Sequence, residues 1–155
     1  MRENTDKNLK SKSLYSAAIT REQFLYNEMK ITAQLLEHGL NEEGVISRIV
    51  SDNLYKYPSD KSMRKMVLVC LRRLNALGDE ALIKAIASQP DQIGKQICLY
   101  AMMQQYRIVM DCMIEVIGNK YRLSDSTFDK IDLENYLKEL QNKDPWVASW
   151  SNTTM

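Results

Sequence analysis

Between Ser59 and Gly78 the sequence divides one predicted helix into two unlike faces, and this restricts the fold more than any other feature. At helical spacing Met63, Met66, Val67, Cys70, Leu71, Leu74 and Leu77 fall within about 140° of arc. Lys61, Arg64, Lys65 and Arg72 fall on the opposite side, within about 100° of one another. An apolar stripe this long must be covered by other elements, and its cationic back must face solvent. The cheapest partners are further helices, and the rest of the chain supplies them.

A helix is predicted from Thr20, with Thr20 and Gln23 in the T-x-x-Q form of a capping box and Gly39 as its left-handed stop. Asn41 is expected to cap a second helix, Glu42 to about Asp52, and Ser59 or Asp60 a third, ending at Gly78. A fourth runs from Asp79 to Ala87, and Pro90 suits the first turn of a fifth, about Asp91 to Ile117. In this fifth segment Gln104, Arg107, Asp111 and Glu115 form a narrow polar stripe on an otherwise apolar girth, so the other helices are expected to wrap around it. A last helix spans roughly Ser126 to Gln141, and Trp146 to Trp150 open another turn beyond Pro145. No strand alternation or internal repeat competes, and five Gly and three Pro in 155 residues leave little room for turn-rich folds. The expected fold class is all-α, a bundle of about six helices around a central helix. Residues 1–13 are expected to form a flexible basic tail and residues 14–155 a single domain.

Residue chemistry excludes several functions. Neither G-x-x-x-x-G-K-[ST] nor G-x-G-x-x-G occurs, so the usual phosphate cradles are missing. One histidine, His38, and three cysteines, Cys70, Cys98 and Cys112, without C-x-x-C spacing assemble neither a zinc site nor a nucleophile–base pair. No catalytic residue, metal ligand or cofactor is expected. The cysteines are read as small buried apolar groups in a reducing compartment, and His38 as a cation at a helix C-terminus. Asp125, Asp129 and Asp132 are read as compensating a helix N-terminus. The longest purely apolar run, Met66 to Leu71, is far short of a membrane span, and Met1 to Lys12 lacks the apolar core of a secretory leader. A cytoplasmic protein is expected.

Charge is segregated along the chain although the net value is only +1. Residues 15–53 and 123–155 each hold three basic against six acidic residues, whereas residues 54–74 hold six basic against Asp60 alone. Lys61, Arg64, Lys65 and Arg72 are therefore candidate phosphate contacts, with Lys56, Arg73 and the tail's Arg2, Lys7, Lys10 and Lys12 as secondary contributors. Tyr55 and Tyr57, flanking Lys56, can stack on bases or instead anchor the connector to the bundle.

Five segments carry a resemblance. Tyr15-Ser16-Ala17-Ala18, Asn53-Leu54, Cys70-Leu71-Arg72-Arg73-Leu74-Asn75-Ala76-Leu77, Lys95 to Met103 and Trp150-Ser151-Asn152-Thr153-Thr154 resemble, in consistent order, the BrxA family of bacteriophage exclusion (BREX) defence systems. The resemblance covers about residues 14–154. It implies an all-helical fold similar to the antitermination factor NusB. It also implies a DNA-binding, non-enzymatic role beside the methyltransferase and ATPase components of such a system. Family members continue past the tryptophan segment into a further basic helix, and this chain ends at Met155, so a short or shortened member is expected. The function expected is binding of duplex DNA phosphates with little sequence preference, among other BREX components. The alternative is a helical adaptor within the same complex that makes no nucleic-acid contact.

Overall fold

The structure, a computed structural model, describes residue 10 and residues 12–150. Arg2 and Lys7 of the expected tail, and Ser151 to Thr154 of the resembling segments, lie outside the described residues. The described residues are all-helical, with no strand among them. They divide into two compact units, one of residues 22–105 and one that joins the chain before Glu22 to the chain after Gln105.

The first unit holds α1 (Tyr26–Glu37), α2 (Glu42–Ser51), α3 (Asp60–Leu77), α4 (Glu80–Ser88) and α5 (Asp91–Gln105). Local chemistry sets most boundaries. Asn41 Oδ1 accepts from the Gly44 N–H at 2.9 Å, Ser59 Oγ from the Ser62 N–H at 3.3 Å and Asp79 Oδ1 from the Ala81 N–H at 2.8 Å. Gly39 (φ 85°) and Gly78 (φ 63°) take the left-handed conformation that ends α1 and α3. Helix α3 packs against α1, α2, α4 and α5 and supplies the core with Met63, Val67, Cys70, Leu71 and Leu74. Cys98 of α5 is buried in the same core, and burial pushes the thiols of Cys70 and Cys98 up to about 12.

The expected start of the first helix at Thr20 is not observed. Thr20 lies in a 3₁₀ turn, Ala17–Thr20, and its Oγ1 donates to the Ala17 carbonyl at 2.8 Å, so no capping box with Gln23 forms. Helix α1 begins only at Tyr26, after Leu25 in the left-handed region at φ 55°. The physical reason is Arg73. Its side chain is fully buried, and its guanidinium donates to the carbonyls of Phe24 (3.0 Å), Gln23 (2.7 Å) and Glu22. Three successive carbonyls turned toward one guanidinium cannot also lie along a helix axis.

The second unit contains α6 (Arg107–Cys112), a π-helical segment Met113–Ile117, α7 (Gly118–Arg122), α8 (Lys130–Lys143) and α9 (Pro145–Ala148). The single rod expected over 91–117 is therefore interrupted: Tyr106 is extended (φ −124°, ψ 105°) and separates α5 from α6. Of the expected polar stripe Gln104, Arg107 and Glu115 are exposed, and only Asp111 is buried, accepting from Arg107 Nε at 2.8 Å and from the Tyr15 hydroxyl at 2.9 Å. Burial and this carboxylate push the Tyr15 hydroxyl up to about 12. Helix α8 starts later than expected because Asp129, not Ser126, caps it, in a capping box with Asp132.

Candidate nucleic-acid interface

The candidate interface is the outer face of α3. Eighteen residues give this helix a length of about 27 Å, and Lys61 to Arg72 occupy about 16 Å of it. Lys61, Arg64 and Lys65 are exposed, and none forms an ion pair with a described residue. Several cations elsewhere are committed: Lys30 to Asp91 (2.7 Å), Arg48 to Asp52 (2.9 Å), Arg107 to Asp111 (2.8 Å) and Lys120 to Asp125 (3.0 Å) and Asp132 (3.1 Å).

Arg72 shares this face but is neutralised within it. Its side chain is 49% exposed, yet Nη2 meets Glu22 Oε2 at 2.5 Å and Nε donates to Gln105 Oε1 at 3.0 Å. Arg73 is not on the face at all. At about 100° per residue it projects about 120° from Lys61, between Val69 and Met66, and both of these are buried. Its assignment as a secondary phosphate contact is corrected: the guanidinium serves the Glu22–Phe24 carbonyls and cannot reach solvent.

Lys56 is exposed in the connector before α3, with φ 56°. The aromatic residues beside it are anchors. Thr32 Oγ1 donates to the Glu28 carbonyl (2.8 Å), so the Tyr55 hydroxyl is the donor in the 2.5 Å bond that these two side chains share. The Tyr57 hydroxyl donates to Glu28 Oε1 at 3.1 Å, and the two rings lie 5.8 Å apart. Burial, then the Glu28 charge, pushes the Tyr57 hydroxyl up to about 12. The Tyr55 ring is buried and cannot stack on a base, and the Tyr57 ring is half-buried. Of the tail, Lys10 and Lys12 are exposed.

Sequence reasoning passed over Leu68, which is 54% exposed in the middle of the cationic row. The signal was available, because Leu68 projects between Arg64 and Arg72 rather than into the apolar stripe. The counter-ion Glu22 was not legible, since fifty residues separate it from Arg72 and only the fold brings them together. The other candidate groups have structural partners. His38 Nδ1 lies 2.6 Å from the Gln34 carbonyl at the end of α1, and Asp125 accepts from Thr127 and Lys120. Among the described residues no cluster of three or more His, Cys, Asp or Glu could hold a metal ion, and no helix is long and apolar enough to cross a membrane.

Fold and face together define a class: an all-helical protein that displays uncompensated cations along one rigid helix. Comparison with known proteins sharpens this. The chain belongs to the BrxA family, whose model, described as BrxA, matches residues 13–155. It is similar to the BREX protein BrxA of Bacillus cereus (strain H3081.97), with 27% identity over 141 residues covering 91% of this chain and 70% of that protein. It is also similar to the BREX protein BrxA of Paramagnetospirillum magneticum (strain ATCC 700264 / AMB-1), with 22% identity over 127 residues covering 82% of this chain and 63% of that protein. No solved structure matches the chain.

Proposed function

We propose that this chain is a non-enzymatic accessory protein of a BREX phage-defence system and binds duplex DNA through the outer face of α3. The observation that carries the reading is the concentration of uncompensated charge: Lys61, Arg64 and Lys65 stand exposed within five residues, on the longest helix among the described residues, without a carboxylate partner there. Duplex DNA offers one negative charge per about 1.7 Å of axis, so each of these cations has a phosphate within reach and displaces condensed counterions when it binds. Phosphate contacts fix position and carry no base information, which is why little sequence preference is proposed. Lys56 and the exposed Lys10 and Lys12 are secondary contributors.

Fluorescence anisotropy on two labelled duplexes of unrelated sequence tests this. Wild type should bind both with similar affinity, and a Lys61→Glu/Arg64→Glu/Lys65→Glu variant with a native helical spectrum should lose most of it. Unchanged affinity in that variant would retire the α3 face, and a duplex RNA that outcompetes DNA would replace the ligand. A second reading has its own observation. Tyr121 (84% exposed), Leu123 (81%), Phe128 and Ile131 expose apolar surface in the second unit, as an adaptor for another BREX component would. Co-purification with such a component, lost on Tyr121→Ser/Leu123→Ser and accompanied by no DNA binding at low salt, would select the adaptor.

A further inference from the structure

Leu68 stands at the crown of the outer face of α3. It is 54% exposed, and cations flank it on both sides. At about 100° per residue Arg64 projects about 40° to one side of it, and Lys61 and Lys65 project about 20° and 60° to the other. A single exposed leucine needs no explanation on an ordinary surface. Here it occupies the middle of the cationic row, where a further lysine or arginine would have strengthened the hold on phosphate. Its seven apolar neighbours along the helix are buried in the core on the opposite side, so Leu68 does not continue their stripe.

This arrangement suits one groove of the duplex. The major groove, about 12 Å wide and about 8.5 Å deep, admits an α-helix, and the minor groove, about 6 Å wide, does not. A helix entering the major groove crown first brings Leu68 to the floor. The long side chains of Arg64 and Lys65, about 100° apart on its flanks, then extend toward the two phosphate walls. The floor presents hydrogen-bonding edges from every base pair and one apolar group, the thymine C5-methyl. Leucine neither donates nor accepts a hydrogen bond, so only the methyl is a partner for it. We infer that α3 docks in the major groove with Leu68 against thymine methyl groups, which gives duplex binding a mild preference for A·T pairs. The inference rests on the α3 reading of DNA binding and adds the groove and the chemical group met there. One buried methyl contributes about fourfold in affinity, far below the factor of about 10³ or more that separates specific from non-specific binding.

Two duplexes of the same mixed A·T sequence are the probes, one with thymine and one with deoxyuridine in its place. They differ only in the C5-methyl groups, which lie in the major groove. In anisotropy titrations wild type should bind the thymine duplex about fourfold more tightly, and Leu68→Ala should bind the two alike. Leu68 is exposed, so its truncation opens no cavity in the core, and a native helical spectrum checks the fold of the variant. Equal wild-type affinity for the two duplexes would overturn the placement of Leu68 and leave the α3 cations their role, which the Lys61→Glu/Arg64→Glu/Lys65→Glu variant reads separately. A preference that survives in Leu68→Ala would assign it to duplex shape and overturn the placement as well. Binding to neither duplex would remove the α3 reading and this inference with it.

Discussion

Replacing Arg73 by methionine separates its structural role from the surface role that its place in a basic run suggests. Methionine fills a similar volume and deletes the guanidinium that holds the carbonyls of Glu22, Gln23 and Phe24. A hydrogen bond to a charged group contributes about 1.5–3 kcal/mol, but the Glu22–Phe24 backbone lies near the surface and recovers water once released, which offsets much of the loss. A net destabilisation of about 3 kcal/mol is expected, in the range for breaking one side of a buried charge network. With a urea slope of about 2 kcal/mol/M, the unfolding midpoint should fall by about 1.5 M. Arg73→Lys should recover only part of this, because a single ammonium cannot fork to three carbonyls. Equilibrium urea unfolding followed by circular dichroism gives the result directly. A midpoint shift below about 0.5 M, or full rescue by lysine, would refute the role given to the guanidinium.

Two further outcomes follow from the packing and the ion pairs. In Gly94→Ala the new Cβ would sit 2.9 Å from Tyr26 Oη and 3.0 Å from its Cε2, so overpacking of about 1–3 kcal/mol should outweigh the helix-propensity gain and lower the melting temperature; Tyr26→Phe in the same chain should restore part of it. The Thr127 hydroxyl and N–H, and then Lys120, hold the Asp125 carboxyl at about 2, below its unfolded value of about 3.9. A depressed carboxyl stabilises the fold above the unfolded value and loses that contribution as pH falls through the folded one. The stability gap between wild type and Asp125→Asn should therefore shrink from pH 4 to pH 2, and a gap that stays constant would contradict this.

The sequence made α3 legible because one helix carried both faces: its seven apolar positions are all buried, and the structure buries Val69 and Arg73 besides. Arg73 was legible in part: its angle placed it among buried residues, but its charge drew it toward the surface ridge. The carbonyl cluster that satisfies it lies about fifty residues away, and no local rule connects the two. The interruption at Tyr106 was not legible, since no Gly or Pro falls between Gly94 and Gly118 and the apolar spacing continues across it. Leu25 is similar: a leucine in the left-handed region is imposed from outside its own segment. The start of α8 was expected at Ser126, and the reading of Asp129 and Asp132 as mere charge compensation missed the capping box that they form.

The salt dependence of duplex binding tests the α3 face most directly. Each lost phosphate contact should flatten the slope of log K against log salt by about 0.9, so Lys61→Gln/Arg64→Gln/Lys65→Gln should reduce it by about 2.7 relative to wild type. An unchanged slope in the folded variant would mean that these cations do not meet phosphate, and the face would lose its proposed function.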